Sequence, residues 1–155
     1  NEEVNRSLKQ TQQDSQSRDG MDIAICSFYQ KNSTETLLEY AGANRPLYLI
    51  RNAALIETKA NKFPIGGLSY DVEKVFSNHN FVLKNSDCVY ISSDGYADQF
   101  NALGKKLMTK KFKELLLSLH QQSMEEQGNY LHSFIEKWKS ETEQTDDILV
   151  LGVKV

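Results

Sequence analysis

A succession of short apolar segments separated by turn residues limits what this chain can fold into. Stretches of about four to eight residues rich in β-branched and aromatic side chains are typical of strands. Six such segments lie between residues 21 and 93: MDIAICSFYQ, ETLLEYAGA, RPLYLIRN, ALIETKA, HNFVLK and DCVYISS. The first carries small residues between Ile23, Ile25 and Phe28, which predicts a strand covered on both faces.

The rest of the chain changes from strand to helix and back. KKFKELLLSLHQ places four apolar residues on one helical face, and SMEE opens the next helix as a capping box of Ser123 and Glu126. DDILVLGVKV predicts a final strand, and Val4 and Leu8 indicate a helix over 1–13. Strands, then helices, then a strand suit an α+β layered fold of mainly antiparallel strands in one domain of 155 residues.

Composition excludes several classes of protein. A net charge of −3 and a pI near 5.6 argue against a nucleic-acid-binding protein, which usually has a basic face. No apolar run is long enough to span a bilayer, and the polar start NEEVNRSLKQ is not a secretory signal. Cys26 and Cys88 lie inside apolar segments, which favours a reduced pair and a cytoplasmic location, with a disulfide as the alternative.

A group of acids is predicted at one edge of the sheet. Asp94 directly follows the segment DCVYISS, and Asp146 and Asp147 lie at the N-terminal end of the last strand. If these strands pair antiparallel, Asp94 meets one of the two, because side chains alternate along a strand. Two carboxylates at such a short distance repel each other unless a hard cation such as Mg²⁺ or Mn²⁺ lies between them. Asp98, four residues after Asp94, reaches the same side.

Alternative interpretations of these acids are simpler. Asp-Gly is a common turn, and paired acids before a strand are usually solvated.

Gly95 permits a sharp turn and leaves room for an ion. An EF-hand is excluded, because Tyr96 and Lys105 stand where oxygen ligands are needed. Arg45 and Arg51 are interpreted as solvated surface charge.

Five segments in a fixed order resemble the SpoIIE-like branch of the metal-dependent (type 2C, PPM) serine/threonine phosphatases. They are DGMDIAIC, YAGANRPLYLIR, FPIGG, SSDGYADQF and TDDILVLGVKV, and they extend the resemblance over almost the whole chain. The last two are similar to the family's Ser-Asp-Gly-x-x-Glu/Asp metal motif and its terminal Asp-Asp-Ile strand.

The resemblance implies a layered α-β-β-α sandwich with two Mn²⁺ or Mg²⁺ ions at one end. It places Asp94, Asp146 and Asp98 at metal-ligand positions, with Gly95 in the same motif. Asp19 or Asp22 corresponds to a further acid near the site, although a plain turn residue is the preferred interpretation of Asp19. Asp147 is expected to bond nearby backbone instead of metal. No side chain is expected to become phosphorylated, because a metal-bound water attacks phosphorus.

Two family motifs do not occur in the sequence. One is an early Gly-Asp pair, and the other is an Asp-x-x-Gly-His-Gly turn. We therefore interpret residues 1–155 as a single SpoIIE-like phosphatase domain truncated at its N-terminus. We expect weak metal binding, little turnover from these residues alone, and sheet edges left unpaired for self-association.

The resemblance gives two hypotheses about function. The first is a bacterial signalling phosphatase that follows a sensor domain and acts on phosphoserine or phosphothreonine proteins in the cytoplasm, in a parent protein that is either soluble or membrane-attached. The second is a pseudophosphatase that binds a partner without hydrolysis. The upstream sequence discriminates between them, because the catalytic form requires the two absent motifs.

Overall fold

The computed structural model describes residues 20–32, 35–67 and 75–155. Its helices are α1 Gly95–Asp98, α2 Thr109–Leu119 and α3 Met124–Lys139. Its strands are β1 Gly20–Met21, β2 Ile23–Gln30, β3 Thr36–Ala43, β4 Leu47–Arg51, β5 Ala54–Thr58, β6 Ile65–Gly66, β7 His79–Leu83, β8 Cys88–Ser92 and β9 Val150–Lys154. The helix expected over 1–13, and Asp19, lie outside the described residues.

All strands of the described part pair antiparallel, in three sheets. One sheet has the order β2-β3-β7, a second has the order β5-β4-β8-β9, and β1 and β6 form a short pair. Asn52 and Ala53 have positive φ angles of 51° and 57°, and they connect β4 to β5 in a two-residue turn. Turns of this kind match the twist of the strands they join. The segments RPLYLIRN and ALIETKA therefore form a β-hairpin.

Two apolar cores give the molecule its layers. Between the two larger sheets, Leu38 and Tyr40 of β3 pack with Leu49 of β4 and Val89 of β8. On the opposite face of the four-stranded sheet, a second core joins β4 and β8 to all three helices. The buried helix residues in it include Phe112, Leu115, Leu116, Leu119, Leu131 and Ile135. The α+β layered fold predicted from the sequence is confirmed, and in the described part helices cover only the four-stranded sheet.

The start of α3 follows the sequence prediction. The Ser123 side chain accepts a hydrogen bond from the backbone N–H of Glu126, and the Glu126 carboxylate accepts one from the Ser123 backbone N–H. The Ser123 backbone N–H and the Ser123 hydroxyl both donate to the Glu126 carboxylate, and these two bonds lower the pKa of Glu126 below its ordinary value. None of the described helices is both long and apolar enough to cross a membrane.

Strand β2 differs from the prediction that both its faces are covered. The small residues Ala24 and Cys26 pack against the core between the sheets, whereas Ile25 and Tyr29 are 55% and 53% exposed. The prediction is wrong for the described part because helices there cover only the four-stranded sheet, which leaves the face of β2 that carries Ile25 and Tyr29 open to solvent. Cys26 and Cys88 are both free thiols, as expected, and burial raises the pKa of Cys26.

Arg51 also differs from its interpretation as solvated charge. The chain passes from one sheet to the other between β7 and β8, and the Asp87 side chain in this connection is only 3% exposed. Arg51 donates to it from Nε at 3.0 Å and from Nη2 at 2.5 Å, and the Lys84 N–H donates at 2.8 Å. Arg51 therefore compensates a buried carboxylate, and the bond to Asp87 raises the pKa of Arg51.

Candidate metal centre

Strands β8 and β9 bring the predicted acids to one edge of the four-stranded sheet. They pair antiparallel with Ser92 opposite Val150, so the end of β8 meets the start of β9 as expected. Ser93 continues the contact beyond the strands: its N–H donates to the Leu149 carbonyl at 3.0 Å, and its hydroxyl donates to the Asp147 carbonyl at 2.7 Å. The segment that carries Asp146 is thus held beside Asp94.

Gly95 makes this approach possible. A Cβ at Gly95 would lie 2.9 Å from the carbonyl carbon of Asp147 and 3.0 Å from the carbonyl oxygen of Asp146, and closer still to the Asp147 oxygen. Any other residue would push the two segments apart. Gly95 therefore provides space for the backbone segment that leads into β9, whereas the sequence indicated a sharp turn and room for an ion.

Arg45 joins Asp94 to a second acid. Its Nη2 lies 2.7 Å from Oδ2 of Asp94 and 2.5 Å from Oδ2 of Asp22, and its side chain is only 20% exposed. Asn44 donates to the other Asp22 oxygen at 2.8 Å. The interpretation of Arg45 as solvated surface charge is wrong, because this guanidinium connects the β1–β2 junction to the end of β8.

The electrostatics around Asp22 and Arg45 favour the charged forms of these two side chains. Burial alone would raise the pKa of Asp22, but the bonds from Asn44 and Arg45 outweigh it and leave that pKa below its ordinary value. Burial would likewise lower the pKa of Arg45, and its bonds to Asp22 and Asp94 outweigh it and raise that pKa. Both side chains therefore remain ionised at neutral pH.

The other acids occupy separate positions near the same edge. Asp98 lies one turn after Asp94 in α1, with its N–H donating to the Asp94 carbonyl at 2.9 Å, and its carboxylate lies 2.9 Å from Lys106 Nζ. Asp146 is exposed, and its Oδ1 accepts the Asp147 N–H at 2.7 Å. The carbonyl of Asp147 is the atom that Ser93 binds.

Two cavities meet at the Asp94–Arg45 pair. One, of about 340 Å³, runs between β2 and the β8–β9 edge and is lined by Asp22, Ser93 and Leu151. The other, of about 270 Å³, is lined by Tyr48, Phe112, Thr109 and Glu57. The Asp94–Arg45 ion pair therefore borders a cavity on each side, and small solutes can reach the Asp94 carboxylate from both.

The residues present fit a divalent cation in kind and only partly in number. Carboxylate oxygens are the ligands that Mg²⁺ and Mn²⁺ prefer, and Asp94 is reachable from the cavities beside it. However, within residues 20–32, 35–67 and 75–155, no group of three or more His, Cys, Asp and Glu residues is placed to hold a metal ion. The described residues thus do not by themselves form a closed cation site.

Sequence reasoning underestimated Arg45 and Asp22. The sequence predicts Asp22 only as an alternative to Asp19, and Arg45 only as surface charge. One signal is present in the sequence: asparagine tolerates the left-handed region better than most residues, so Asn44 indicates a sharp turn before Arg45, and its φ is indeed 59°. The direction of the guanidinium cannot be predicted from the sequence.

The chain is similar to solved phosphatase domains. The family model described as "Stage II sporulation protein E (SpoIIE)" matches residues 1–155. The SiaA-PP2C domain of Pseudomonas aeruginosa is 25% identical, with a TM-score of 0.69 over 77% of this chain and 46% of that one. The Mn-presoaked phosphatase domain of SpoIIE from Bacillus subtilis is 14% identical, with a TM-score of 0.54 over 99% and 64%.

A third similarity concerns the fold alone. The serine/threonine phosphatase PstP/Ppp of Mycobacterium tuberculosis is 14% identical, with a TM-score of 0.57 over 88% of this chain and 60% of that one. No curated protein matches the sequence. The chain spans 46% to 64% of the length of these three structures.

Proposed function

Because the chain belongs to the SpoIIE family of PP2C-type phosphatases, we propose that it is part of a metal-dependent protein serine/threonine phosphatase domain. The observation that carries the proposal is the contact between two segments distant in sequence. The turn Asp94–Gly95 and the backbone of Asp146–Asp147 meet at one sheet edge, as the resemblance requires.

Asp94, Asp146 and Asp98 would hold Mn²⁺ or Mg²⁺ in this domain. Such ions supply a water of lowered pKa and neutralise the charge of a phosphate monoester. Asp94 lies two residues after the end of β8, so its position is set by a strand with a partner on each side. Asp98 lies one helical turn further along α1. Asp147 is left out of this set because the resemblance assigns it to backbone contacts and not to metal; its carbonyl accepts a hydrogen bond from the Ser93 hydroxyl.

We propose that the site is completed by protein outside these residues. The Gly-Asp and Asp-x-x-Gly-His-Gly motifs are absent from the sequence, and the chain covers less than two thirds of each phosphatase structure named above. The 155-residue chain alone is then expected to turn over little substrate. The complete protein would act on phosphoserine or phosphothreonine proteins as a cytoplasmic, bacterial signalling output controlled by a sensor domain.

Self-association through sheet edges stays a prediction. In the described part, β2 and β9 each pair on one side only, and Ile25 of β2 and Leu151 of β9 are 55% and 52% exposed. Apolar, unpaired edges are templates for further strands. A second copy and the remainder of the domain would compete for the same edges.

A non-catalytic binding module is the second candidate. Asp94 is paired with Arg45 and Asp98 with Lys106, so two of the three predicted ligands already have a cationic partner within the chain. A domain that had lost its metals would stabilise its acids in this way. In that case the domain would recognise a partner without hydrolysing it.

The deciding experiment is Mn²⁺-dependent hydrolysis of p-nitrophenyl phosphate and of a phosphothreonine peptide. It compares the 155-residue chain and the protein with its upstream sequence, with Asp94→Asn as the loss-of-function variant. Asp147→Asn is the matched control, because it removes an adjacent carboxylate outside the ligand set. We expect activity in the longer protein that Asp94→Asn abolishes and Asp147→Asn retains. A folded longer protein without Mn²⁺-dependent activity would favour the binding module.

A further inference from the structure

Arg45 is held in place by its backbone as well as by its side chain. The Tyr40 hydroxyl donates to the Arg45 carbonyl at 2.6 Å, and the Arg45 N–H donates to the Ala43 carbonyl at 2.8 Å. A Cβ at Gly42 would lie 2.6 Å from the same Arg45 carbonyl, so the turn closes tightly here. Burial raises the pKa of Tyr40 to about 12, and the phenol remains a donor over the physiological range. The Arg45 side chain therefore projects from a turn whose backbone is held in place.

Asp94 has few other constraints on its carboxylate. It stands at the N-terminus of α1, yet its side chain makes no capping bond to that helix. Among the described residues, its Oδ2 bonds Arg45 Nη2, and no further partner of the carboxylate is seen there. Arg45 thus restrains the rotation of the Asp94 side chain while leaving Oδ1 available.

Two physical effects of Arg45 on a cation at Asp94 oppose each other. A positive charge beside a ligand repels a metal ion, whereas a hydrogen bond that orients a ligand carboxylate strengthens binding. The geometry decides between them. Because Arg45 shares one nitrogen between Asp22 and Asp94, its charge is already compensated by Asp22, and the trio carries a net charge of −1, the same as Asp94 alone. Repulsion is therefore small, and orientation is the larger effect.

We propose that Arg45 is a positioning residue for the metal ligand Asp94, with Asp22 as the counter-ion that makes this role possible. The inference rests on the proposed function, because it takes Asp94 as a metal ligand. It assigns a role to Asp22 that differs from metal ligation: Asp22 acts through Arg45. It also requires no contact between Arg45 and substrate.

The test is the affinity of the 155-residue chain for Mn²⁺ alone, measured by electron paramagnetic resonance of the free ion during titration. The variants are Arg45→Gln, Arg45→Lys and Asp94→Asn, each checked for folding by circular dichroism. Lys111→Gln is the charge-matched control, because Lys111 pairs with Glu114 on the surface of α2. We expect Arg45→Gln to weaken Mn²⁺ binding roughly tenfold, the loss typical of an orienting partner. Arg45→Lys should restore part of the loss, and Lys111→Gln should have no effect.

The outcomes separate this inference from the proposed function. If wild type binds Mn²⁺ more tightly than Asp94→Asn but Arg45→Gln binds as tightly as wild type or more so, the positioning role is wrong and the metal site stands. If Asp94→Asn and wild type bind alike, the positioning role is wrong, and the proposed function is then decided by the Mn²⁺-dependent activity of the longer protein, because this chain is expected to supply only part of the site. Should Arg45→Gln not fold, Asp22→Asn gives the answer: it leaves the Arg45 charge uncompensated, so severalfold weaker binding supports the inference and unchanged binding overturns it.

Discussion

Gly95 and Asp147 lie so close together that no side chain fits between them. A Cβ on Gly95 would come within 2.9 Å of the Asp147 carbonyl carbon, and the Asp147 carbonyl is in turn bound by the Ser93 hydroxyl. This contact fixes where the β9 segment lies relative to the Asp94 turn. The packing of the Asp94 turn against the segment before β9 should therefore depend on the absence of a Cβ at position 95.

Gly95→Ala should destabilise the fold by about 1–3 kcal/mol, the usual cost of overpacking. The reason is steric, since the carbonyl carbon of Asp147 is backbone and cannot rotate away. The measurement is urea denaturation. Gly128→Ala in α3 is the matched control: a Cβ there meets nothing within 4 Å, so it should stabilise the helix by about 0.5–1 kcal/mol. Equal effects of the two substitutions would contradict the role of Gly95.

Arg51→Gln should cost about 3 kcal/mol of stability. The Asp87 carboxylate, 3% exposed, would lose the guanidinium that neutralises it and would remain buried as an unpaired charge. Thermal and urea denaturation at neutral pH measure the loss. Lys111→Gln removes the same charge from an exposed pair and should change stability by less than about 0.5 kcal/mol. A loss below 1 kcal/mol for Arg51→Gln would show that water compensates Asp87 instead (about 1 being the surface-pair limit).

Asp22 should stabilise the protein at neutral pH and not in acid. Its pKa in the folded state is lowered from 3.8, so its contribution is present above about pH 4 and is lost as the pH falls through the folded-state pKa. Asp22→Asn should therefore be less stable than wild type at pH 7, by about 1 kcal/mol at most for this partly exposed pair. The difference should vanish well below pH 4. A difference that is the same at both pH values would contradict this linkage.

Tyr90→Phe should cost about 1–2 kcal/mol although it removes only one oxygen. The Tyr90 hydroxyl donates to Gln127 Oε1 at 2.6 Å, and both residues are 2% exposed, so the variant leaves a buried acceptor without its donor. The double variant Tyr90→Phe/Gln127→Met should lose less than the sum of the two single variants. Denaturation of all four proteins in a double-mutant cycle measures this coupling, and additive losses would rule it out.

Local features of the fold could be predicted because they depend on neighbours in sequence. The capping box needs only Ser123 and a glutamate three residues later, and the β4–β5 turn needs only two residues between two apolar segments. The covering of β2 could not be predicted, because its residue pattern does not show whether another element packs on the outer face of the sheet. Whether that face is covered depends on a distant part of the chain.

The candidate site also has one part that could be predicted from the sequence and one part that could not. The sequence by itself determined that acids end one strand and begin another, and antiparallel pairing then brings Asp94 and Asp146 to one edge. Only the tertiary structure decided that Arg45 bridges Asp22 and Asp94, residues 23 and 49 positions away from it in sequence. Such a contact depends on how two sheets pack and how far one side chain reaches between them, and no local pattern encodes either quantity.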